Sequence, residues 1–218
     1  DMSQGSSFAS AFQSCSSLTT IGNGVLLGTA SSSVNFSYLF KNCGSLAALP
    51  AGLDLSTGDK FIGTFKSCGS LTTIGTGVLL GTASSGVDFT QTFRGCANLV
   101  TLPANLNLSK GDDFQSGYRA CSSLVDFPAG AFDTMGTPKT WCFLSAWLGT
   151  NALSTTSVFN ILSSIDTSGQ SGPTITSNEA DITIDYNVAT GALSAATNTA
   201  IASLKGKGWV IIVNGTTL

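Results

Sequence analysis

Apolar side chains recur with one fixed spacing from Phe8 to Phe127. An aromatic residue is followed by three residues, a second aromatic, two residues, Cys, two residues, Leu, two residues and an apolar residue. Five copies of this phrase begin at Phe8, Phe36, Phe61, Phe89 and Phe114. Self-similarity at a period of about 20–50 residues is typical of folds in which small units stack and share one core.

The spacing between successive cysteines alternates between 28 and 25 residues from Cys15 to Cys121. The long period is therefore 53 residues, and the text repeats at that offset, since SLTTIG at 17–22 returns at 70–75. We interpret this repetition as the duplication of a two-unit block. A sixth, degenerate unit with Thr in place of Cys is predicted at Phe143, Trp147, Thr150 and Leu153.

Each unit divides into two parts with different expected structures. The two aromatics and the Cys lie at i, i+4 and i+7, on one helical face, so the first part predicts a short helix or helical turn. The following S/N-L-x2-I/L part predicts a short strand, ended by Gly or Pro. Strands of successive units would pair in parallel. Residues 1–154 are thus predicted to form an α/β solenoid, a leucine-rich repeat of about six turns.

Residues 155–218 follow other patterns and predict a small α/β cap. Residues 155–166 fit a helix capped by Thr or Ser, and 194–205 have helical spacing of Ala, Ile and Leu. Residues 181–186 alternate like a strand, and 209–213 are typical of a buried strand. The cap would close the open end of the repeats, because an exposed core end promotes aggregation.

Composition narrows the class of protein and its partners. Charged residues make up 10% of the chain, hydrophobic residues 42%, and the net charge is −3. Neither nucleic acid nor an anionic membrane is an expected partner of such a chain. No apolar run approaches the length of a membrane span, and we recognise no signal peptide. The chain starts at Asp1 without an initiator Met, so we expect a fragment or a mature product.

The repeated phrase resembles the BspA-like leucine-rich repeat surface proteins. F-x2-C-x-S-L-x2-I/L at roughly 25-residue spacing carries the resemblance, and 54–71, DLSTGDKFIGTFKSCGSL, matches that style closely. The chain departs from the commonest family pattern by placing Phe where Met is frequent and by its 28-residue units. The resemblance implies bacterial cell-surface adhesion or host-protein binding. Similar repeats occur in phage tail and receptor-binding proteins, which the ending KGWVIIVNG at 207–215 also resembles.

The sequence offers little catalytic chemistry. It contains no His, which removes Ser-His-Asp and Cys-His arrangements and most zinc sites. Asp112 and Asp126 are a conceivable glycosidase-like pair, but Asp before an aromatic in a turn is more typical of a capping role. We predict no catalytic residue, no metal and no cofactor. Five cysteines share one slot and are predicted to be buried reduced thiols, whereas Cys142 lies outside that slot.

A row of basic residues follows the second aromatic in four units. It comprises Lys41, Lys66, Arg94 and Arg119. Acids precede the units at Asp59, Asp88, Asp112 and Asp113. One interpretation is charge pairing between units, which would fix their register. The other is an anion-binding ridge for acidic glycans.

A second row precedes the apolar strand residue of each unit. It comprises Thr20, Ala48, Thr73, Thr101 and Asp126. Small polar side chains in a row would make a flat surface, and leucine-rich solenoids often bind partners on this face. Ala48 and Asp126 interrupt the regular Thr grid that an ice-binding surface would need. Trp141 and Trp147 are a conceivable sugar-stacking platform, although Trp147 also fits the core as a second aromatic.

These patterns favour non-enzymatic recognition of a host cell-surface glycan or protein. The preferred setting is extracellular, on a phage tail fibre or other virion appendage, and the low charge with abundant Ser, Thr and Gly supports it. A bacterial surface adhesin is the alternative. A structural domain that only assembles with other virion or surface subunits is a third reading.

Overall fold

The computed structural model describes residues 2–25, 27–83, 85–173 and 180–218. The strands are β1 Val34–Asn35, β2 Ala48–Leu49, β3 Asp54–Leu55, β4 Gly58–Lys60, β5 Thr73–Ile74, β6 Leu79–Leu80, β7 Val87–Asp88, β8 Gly111–Asp113, β9 Asp181–Ile184, β10 Val210–Val213 and β11 Thr216–Thr217. The helices are α1 Thr155–Thr167 and α2 Ala195–Gly206, with a 3₁₀ turn at Val188–Thr190.

The aromatic part of each unit is a chain of turns. We call these stretches turn segments 1 to 6: residues 8–14, 36–42, 61–67, 89–95, 114–120 and 143–149. In segment 1 the N–H groups of Ala11 and Gln13 bond to carbonyls three residues back. The N–H groups of Phe8, Ser10, Phe12 and Ser14 instead donate to carbonyls of residues 35, 37, 39 and 41, at 2.7–2.9 Å. Each segment thus lies along the next, joined by a ladder of hydrogen bonds.

Left-handed backbone explains why these segments are not helical. In every segment the third and seventh residues have positive φ, as at Ser10 and Ser14, both at 60°, and at Gly63, at 58°. Such a residue ends a right-handed helix, because the left-handed conformation cannot continue its hydrogen bonding. Aromatics four residues apart still point to one side, since each four-residue step contains one tight turn.

The predicted α/β solenoid of the leucine-rich-repeat type is therefore wrong. No helical turn accompanies the repeats in the described residues, and both α-helices lie after residue 154. The strands of the repeats are two or three residues long and form small parallel sheets. The largest has four strands in the order β1-β4-β7-β8, and β2 pairs with β5 and β3 with β6.

Two columns of aromatic rings run through the core. The first aromatics form a column from Phe8 to Phe143 with neighbouring centroids 5.3–5.8 Å apart, and all pairs are stacked except Phe36–Phe61, which is tilted. The second aromatics stack from Phe12 to Trp147 at 5.4–6.1 Å. Phe143 and Trp147 continue both columns, so the sixth unit predicted from the sequence packs on the fifth. Stacked rings combine large apolar burial with favourable quadrupole geometry, so both columns stabilise the packing of successive units.

The C-terminal elements confirm the predicted order of helix, strand, helix and strand. Ser154 and Ser194 cap α1 and α2, and each side chain accepts a hydrogen bond from the backbone three residues on. Strands β9 and β10 pair in parallel, and β11 adds an antiparallel edge. Strand β9 also bridges Trp147, so this sheet lies against segment 6. The division at residue 154 stays a prediction, since one hydrophobic cluster runs through both parts.

Candidate functional site

The hydrogen-bond ladder aligns the basic row. The carbonyls of Lys41, Lys66, Arg94 and Arg119 all accept from the seventh residue of the preceding segment, at 2.7–2.8 Å. Their backbones are therefore in register, one per segment, and all four residues are partly exposed. We call this set the basic column. Stacked rings place successive segments between about 5 and 6 Å apart, so the charges lie within interaction range.

No acidic side chain forms an ion pair with the basic column among the described residues, where the ion pairs are Lys139–Asp112 and Lys207–Asp166. The Lys66 Nζ donates to the Gln91 Oε1 at 2.8 Å. Partial burial lowers the pKa of Lys66, and the positive charges of Arg94 and Lys41 lower it further. The expected ion pairing between units is thus absent from this part of the chain, and the positive charges of the basic column repel one another.

The acids of the repeats have local roles instead. Asp88 and Asp113 each accept a hydrogen bond from the backbone N–H two residues on, at 2.9 and 3.1 Å. Asn35 does the same in the equivalent position of an earlier unit. Asp112 pairs with Lys139 at 2.9 Å. The contacts of Asp88, Asp113 and Asn35 shape the turns that lead into the aromatic segments. The helix cap expected at Asp112 and Asp113 is not formed, because a turn segment follows them and the first α-helix begins at Thr155.

Burial raises the pKa of Asp113 to about 6, and the nearby charge of Asp88 raises it as well. The Gln115 N–H, Lys139 and Thr90 act in the opposite direction. The carboxyl groups of Asp88 and Asp113, in successive units, thus lie near each other in a partly buried site beside Lys139. Sequence patterns identified these acids but gave no sign of the perturbed protonation.

The threonine row forms a continuous parallel ladder. Bridges join Thr20 to Ala48, Ala48 to Thr73, Thr73 to Thr101 and Thr101 to Asp126. The five residues are exposed or partly exposed, while the next residue of each unit points into the core. The side-by-side placement predicted from the sequence is confirmed. The analogy with leucine-rich solenoids, which had favoured this face for binding, does not carry over to the observed fold.

Exposed apolar residues lie beside this ladder. Val100 and Val125 are 42% and 37% exposed, one residue before Thr101 and Asp126. The combined surface is flat and nearly uncharged, with Asp126 at one end. Such a surface offers contact area but few groups that would orient a ligand.

The thiols confirm the packing role predicted for the repeated cysteines, with one exception. All six cysteines are free, and only Cys15, directly after segment 1, is exposed. Each of the next four Sγ atoms donates to the carbonyl of the second aromatic of the preceding unit, at 3.0–3.1 Å. Burial raises the pKa of Cys68 and of Cys121 to about 12. Cys142 is also buried, in the position that Asp113 holds one unit earlier.

The two candidate tryptophans differ in burial. Trp147 is fully buried in the aromatic column, which confirms its core role, and Trp141 is 44% exposed. A sugar platform made of both rings is therefore excluded. No group of three or more His, Cys, Asp or Glu side chains in the described residues is placed to hold a metal ion. No helix in that part of the chain is long and apolar enough to cross a membrane.

A cleft of about 560 Å³ lies between segment 6 and the C-terminal sheet. Leu148, Asn151, Tyr186, Val188 and Asn214 contribute to its lining. It mixes an aromatic ring with amide groups, which is a composition that suits sugars, and the sequence gave no signal for it. However, the Asn214 Oδ1 already accepts from the Tyr186 N–H at 2.9 Å. The cleft therefore has fewer free polar groups than its composition suggests.

Comparison of the chain with family models, curated proteins and solved structures gives no match. The BspA-like resemblance accordingly rests on the repeated phrase alone.

Proposed function

We propose that this chain is a non-enzymatic recognition module that binds an acidic glycan at a cell surface through the basic column. The observation that carries the proposal is the alignment of Lys41, Lys66, Arg94 and Arg119 without an acidic partner in the described residues. Like charges held in register raise the free energy of the unbound protein. A polyanion that lies along the column would remove this repulsion.

Spacing supports a linear polymer over a small anion. The cations are distributed one per segment along the ladder, so each can meet a different charged group of an extended ligand. Single exposed contacts of this kind are weak and sensitive to salt, but a polymer that engages four of them gains from multivalency.

The setting that we infer is extracellular, on a virion appendage such as a phage tail fibre. The repeated phrase, its BspA-like resemblance and the Ser-, Thr- and Gly-rich surface support this setting. The same chemistry would serve a bacterial surface adhesin, which remains the alternative. The flat threonine ladder, with Val100 and Val125 beside it, favours contact with a protein and is the second candidate surface.

The test is binding of the purified protein to heparin, polygalacturonate and neutral dextran at several salt concentrations. We expect retention on the two acidic polymers, loss of retention as salt rises, and no retention on dextran. The double substitution Lys66→Glu and Arg94→Glu should weaken binding by about tenfold or more, because it reverses the centre of the column.

The matched control is Lys110→Glu with Lys205→Glu. Both residues are exposed and lie outside the basic column, and the change in net charge is the same. This control should change affinity by less than about threefold. Equal losses in the two variants would show a non-specific charge effect and contradict the proposal. Whole-cell binding that survives the Lys66 and Arg94 reversal would contradict it as well.

A further inference from the structure

The ladder between turn segments has one direction. At each of the five interfaces, four N–H groups of one segment donate to four carbonyls of the next unit, at 2.7–3.0 Å. No backbone N–H within a segment donates to the segment before it, although the Asn35 N–H, one residue before segment 2, donates to the Ser6 carbonyl at 3.1 Å. The hydrogen bonds are therefore aligned in columns, and their dipoles add as they do in a helix. Segment 1 presents the acceptor end of these columns, and segment 6 presents the donor end.

Two of the four N–H groups at the donor end, those of Trp147 and Gly149, have acceptors in the C-terminal elements. Strand β9 supplies the Thr183 carbonyl to the Trp147 N–H at 3.1 Å. The Asp185 carboxylate accepts from the Gly149 N–H at 2.7 Å. The C-terminal sheet thus provides acceptors in place of a seventh segment.

The acceptor end is not covered in the same way. The carbonyls of Ser7, Ala9, Ala11 and Gln13 hold the positions that accept hydrogen bonds in the five later units. No donor among the described residues bonds to them. Carbonyls left open along an edge in this manner are a template for another strand-like segment.

Side chains at this end are also less covered than their equivalents in later units. Phe12 and Leu18 are partly exposed, whereas Phe40 and Leu46, their equivalents in the second unit, are buried. A hollow of about 220 Å³ opens between Met2, Phe12, Leu18, Ile21 and Val25, among others. The ring and the leucine of one further unit would fill it. Cys15 is exposed here and lacks the carbonyl acceptor that each of the next four thiols finds in a preceding unit.

We propose that this end, formed by the open carbonyls with Phe12, Cys15 and Leu18, is a docking edge for a polypeptide segment that carries the sequence pattern of the repeats. Its occupant carries an aromatic, three residues, an aromatic, two residues, a small residue, two residues and Leu, and it lies parallel to segment 1. Its N–H groups bond to the four carbonyls, its second ring stacks on Phe12, and its backbone carbonyl accepts the Cys15 thiol. A second copy of this chain does not fit, because two such edges would bring carbonyls against carbonyls.

The probe is a synthetic peptide of residues 89–103 of this chain, with Cys96→Ser so that it carries no thiol. The readout is the rate at which Cys15 of the whole protein reacts with a disulfide reagent, since it is the one exposed thiol in the described residues. We expect the peptide to lower the reaction rate of Cys15 by about tenfold or more, in a saturable manner, because a docked segment would cover the thiol. The control peptide carries Phe89→Ser and Phe93→Ser in addition and should protect little.

Two further measurements complete the test. Leu18→Asp should abolish protection, while Thr19→Asp, at an exposed neighbour, should preserve it. Where Leu18→Asp unfolds the protein, alkylation of Cys15 with a bulky maleimide replaces it and should block binding of a labelled peptide. No protection at millimolar peptide, or equal protection by the control peptide, would overturn the proposal. Self-association of the protein that protects Cys15 without peptide would overturn it too, by assigning the edge to a second copy.

Discussion

The carboxylate of Asp185 accepts a hydrogen bond from the Gly149 N–H at 2.7 Å and so ends the ladder of the turn segments. The Asp185 carbonyl also accepts from the Thr150 hydroxyl at 2.8 Å. An anion at the donor end of aligned hydrogen bonds is stabilising for the reason that Asp is favoured before a helix. Asp185 therefore acts as a cap for the whole ladder.

Asp185→Ala should lower the free energy of unfolding by about 1–2 kcal/mol, since it removes a charge-assisted bond and leaves the Gly149 N–H without its acceptor. Asp185→Asn keeps an acceptor and should cost less. Urea denaturation followed by circular dichroism measures both. Asp126→Asn removes the same charge at an exposed site and should stay within about 0.5 kcal/mol of the parent. If Asp126→Asn lowered the free energy of unfolding as much as Asp185→Ala, the capping role of Asp185 would be contradicted.

The left-handed backbone of the turn segments gives a second prediction. Ala120 is exposed and has a φ of 60°, a conformation that costs a residue with a Cβ roughly 1 kcal/mol. Ala120→Gly should therefore raise stability by about that amount, less the entropy that Gly adds to the unfolded chain. Ala11 is exposed in the same kind of segment without positive φ. Ala11→Gly should be destabilising, and equal effects at the two sites would contradict the argument.

These left-handed residues also explain what the sequence could not predict. Aromatics at i, i+4 and i+7 fit one face of a helix, and they fit a chain of four-residue turns equally well. The distinguishing signal lies between them, at the third and seventh positions of the segments. Nine of these twelve positions hold Gly, Ser or Asn, and the other three hold Tyr38, Gln91 and Ala120. Helix formers are scarce there. Residues 155–218 were easier to predict, because Ser154 and Ser194 mark the helix starts directly.

The aromatic columns make the cost of a truncation depend on its position. Phe65 is buried between Phe40 and Phe93, at 5.7 and 5.4 Å, whereas Phe12 stacks on Phe40 alone and is partly exposed. Phe65→Ala should cost about 3–5 kcal/mol, and Phe12→Ala clearly less. Chemical denaturation of the two variants measures the difference. Equal losses would mean that the end of the column is as well packed as its middle.

Asp113 predicts a pH dependence of stability. Its pKa is about 6 in the folded protein, above the ordinary value of 3.8, because burial disfavours the charged form. The folded state thus binds more protons between about pH 4 and 6, and the contribution of Asp113, complete below that window, is lost as pH rises through it. Asp88 and Lys139 face the same carboxyl and modulate the change.

Asp113→Asn should remove this slope and stabilise the protein at pH 7 by about 1–2 kcal/mol, a figure reduced for the partial exposure of the side chain. Asn fits this position, because the Asn35 Oδ1 accepts the equivalent backbone bond at 2.9 Å. Denaturant titrations at several pH values test the prediction. An unchanged slope in the variant would assign the pH dependence to another group.

The candidate surfaces show the same division between what a sequence reveals and what it does not. Placement of Lys66 beside Arg94, and of Thr73 beside Thr101, follows from the repeat length and was predicted. The absence of acidic partners for the basic column in the described residues was not, because Asp112 lies close in sequence yet binds Lys139. Which charges meet depends on the local turn, and the repeat period does not encode it.

The 53-residue period has a consequence for how such a chain can change in evolution. The rings of Phe8, Phe36, Phe40 and Phe65 have counterparts 53 residues later, and the same hydrogen-bond ladder joins both sets. Unequal recombination between the two copies would therefore insert or delete a block without disturbing the Asp185 end or the first edge. The length of the repeat region and the number of binding groups along it could then change by whole 53-residue blocks. The variable side chains of each block could still evolve separately.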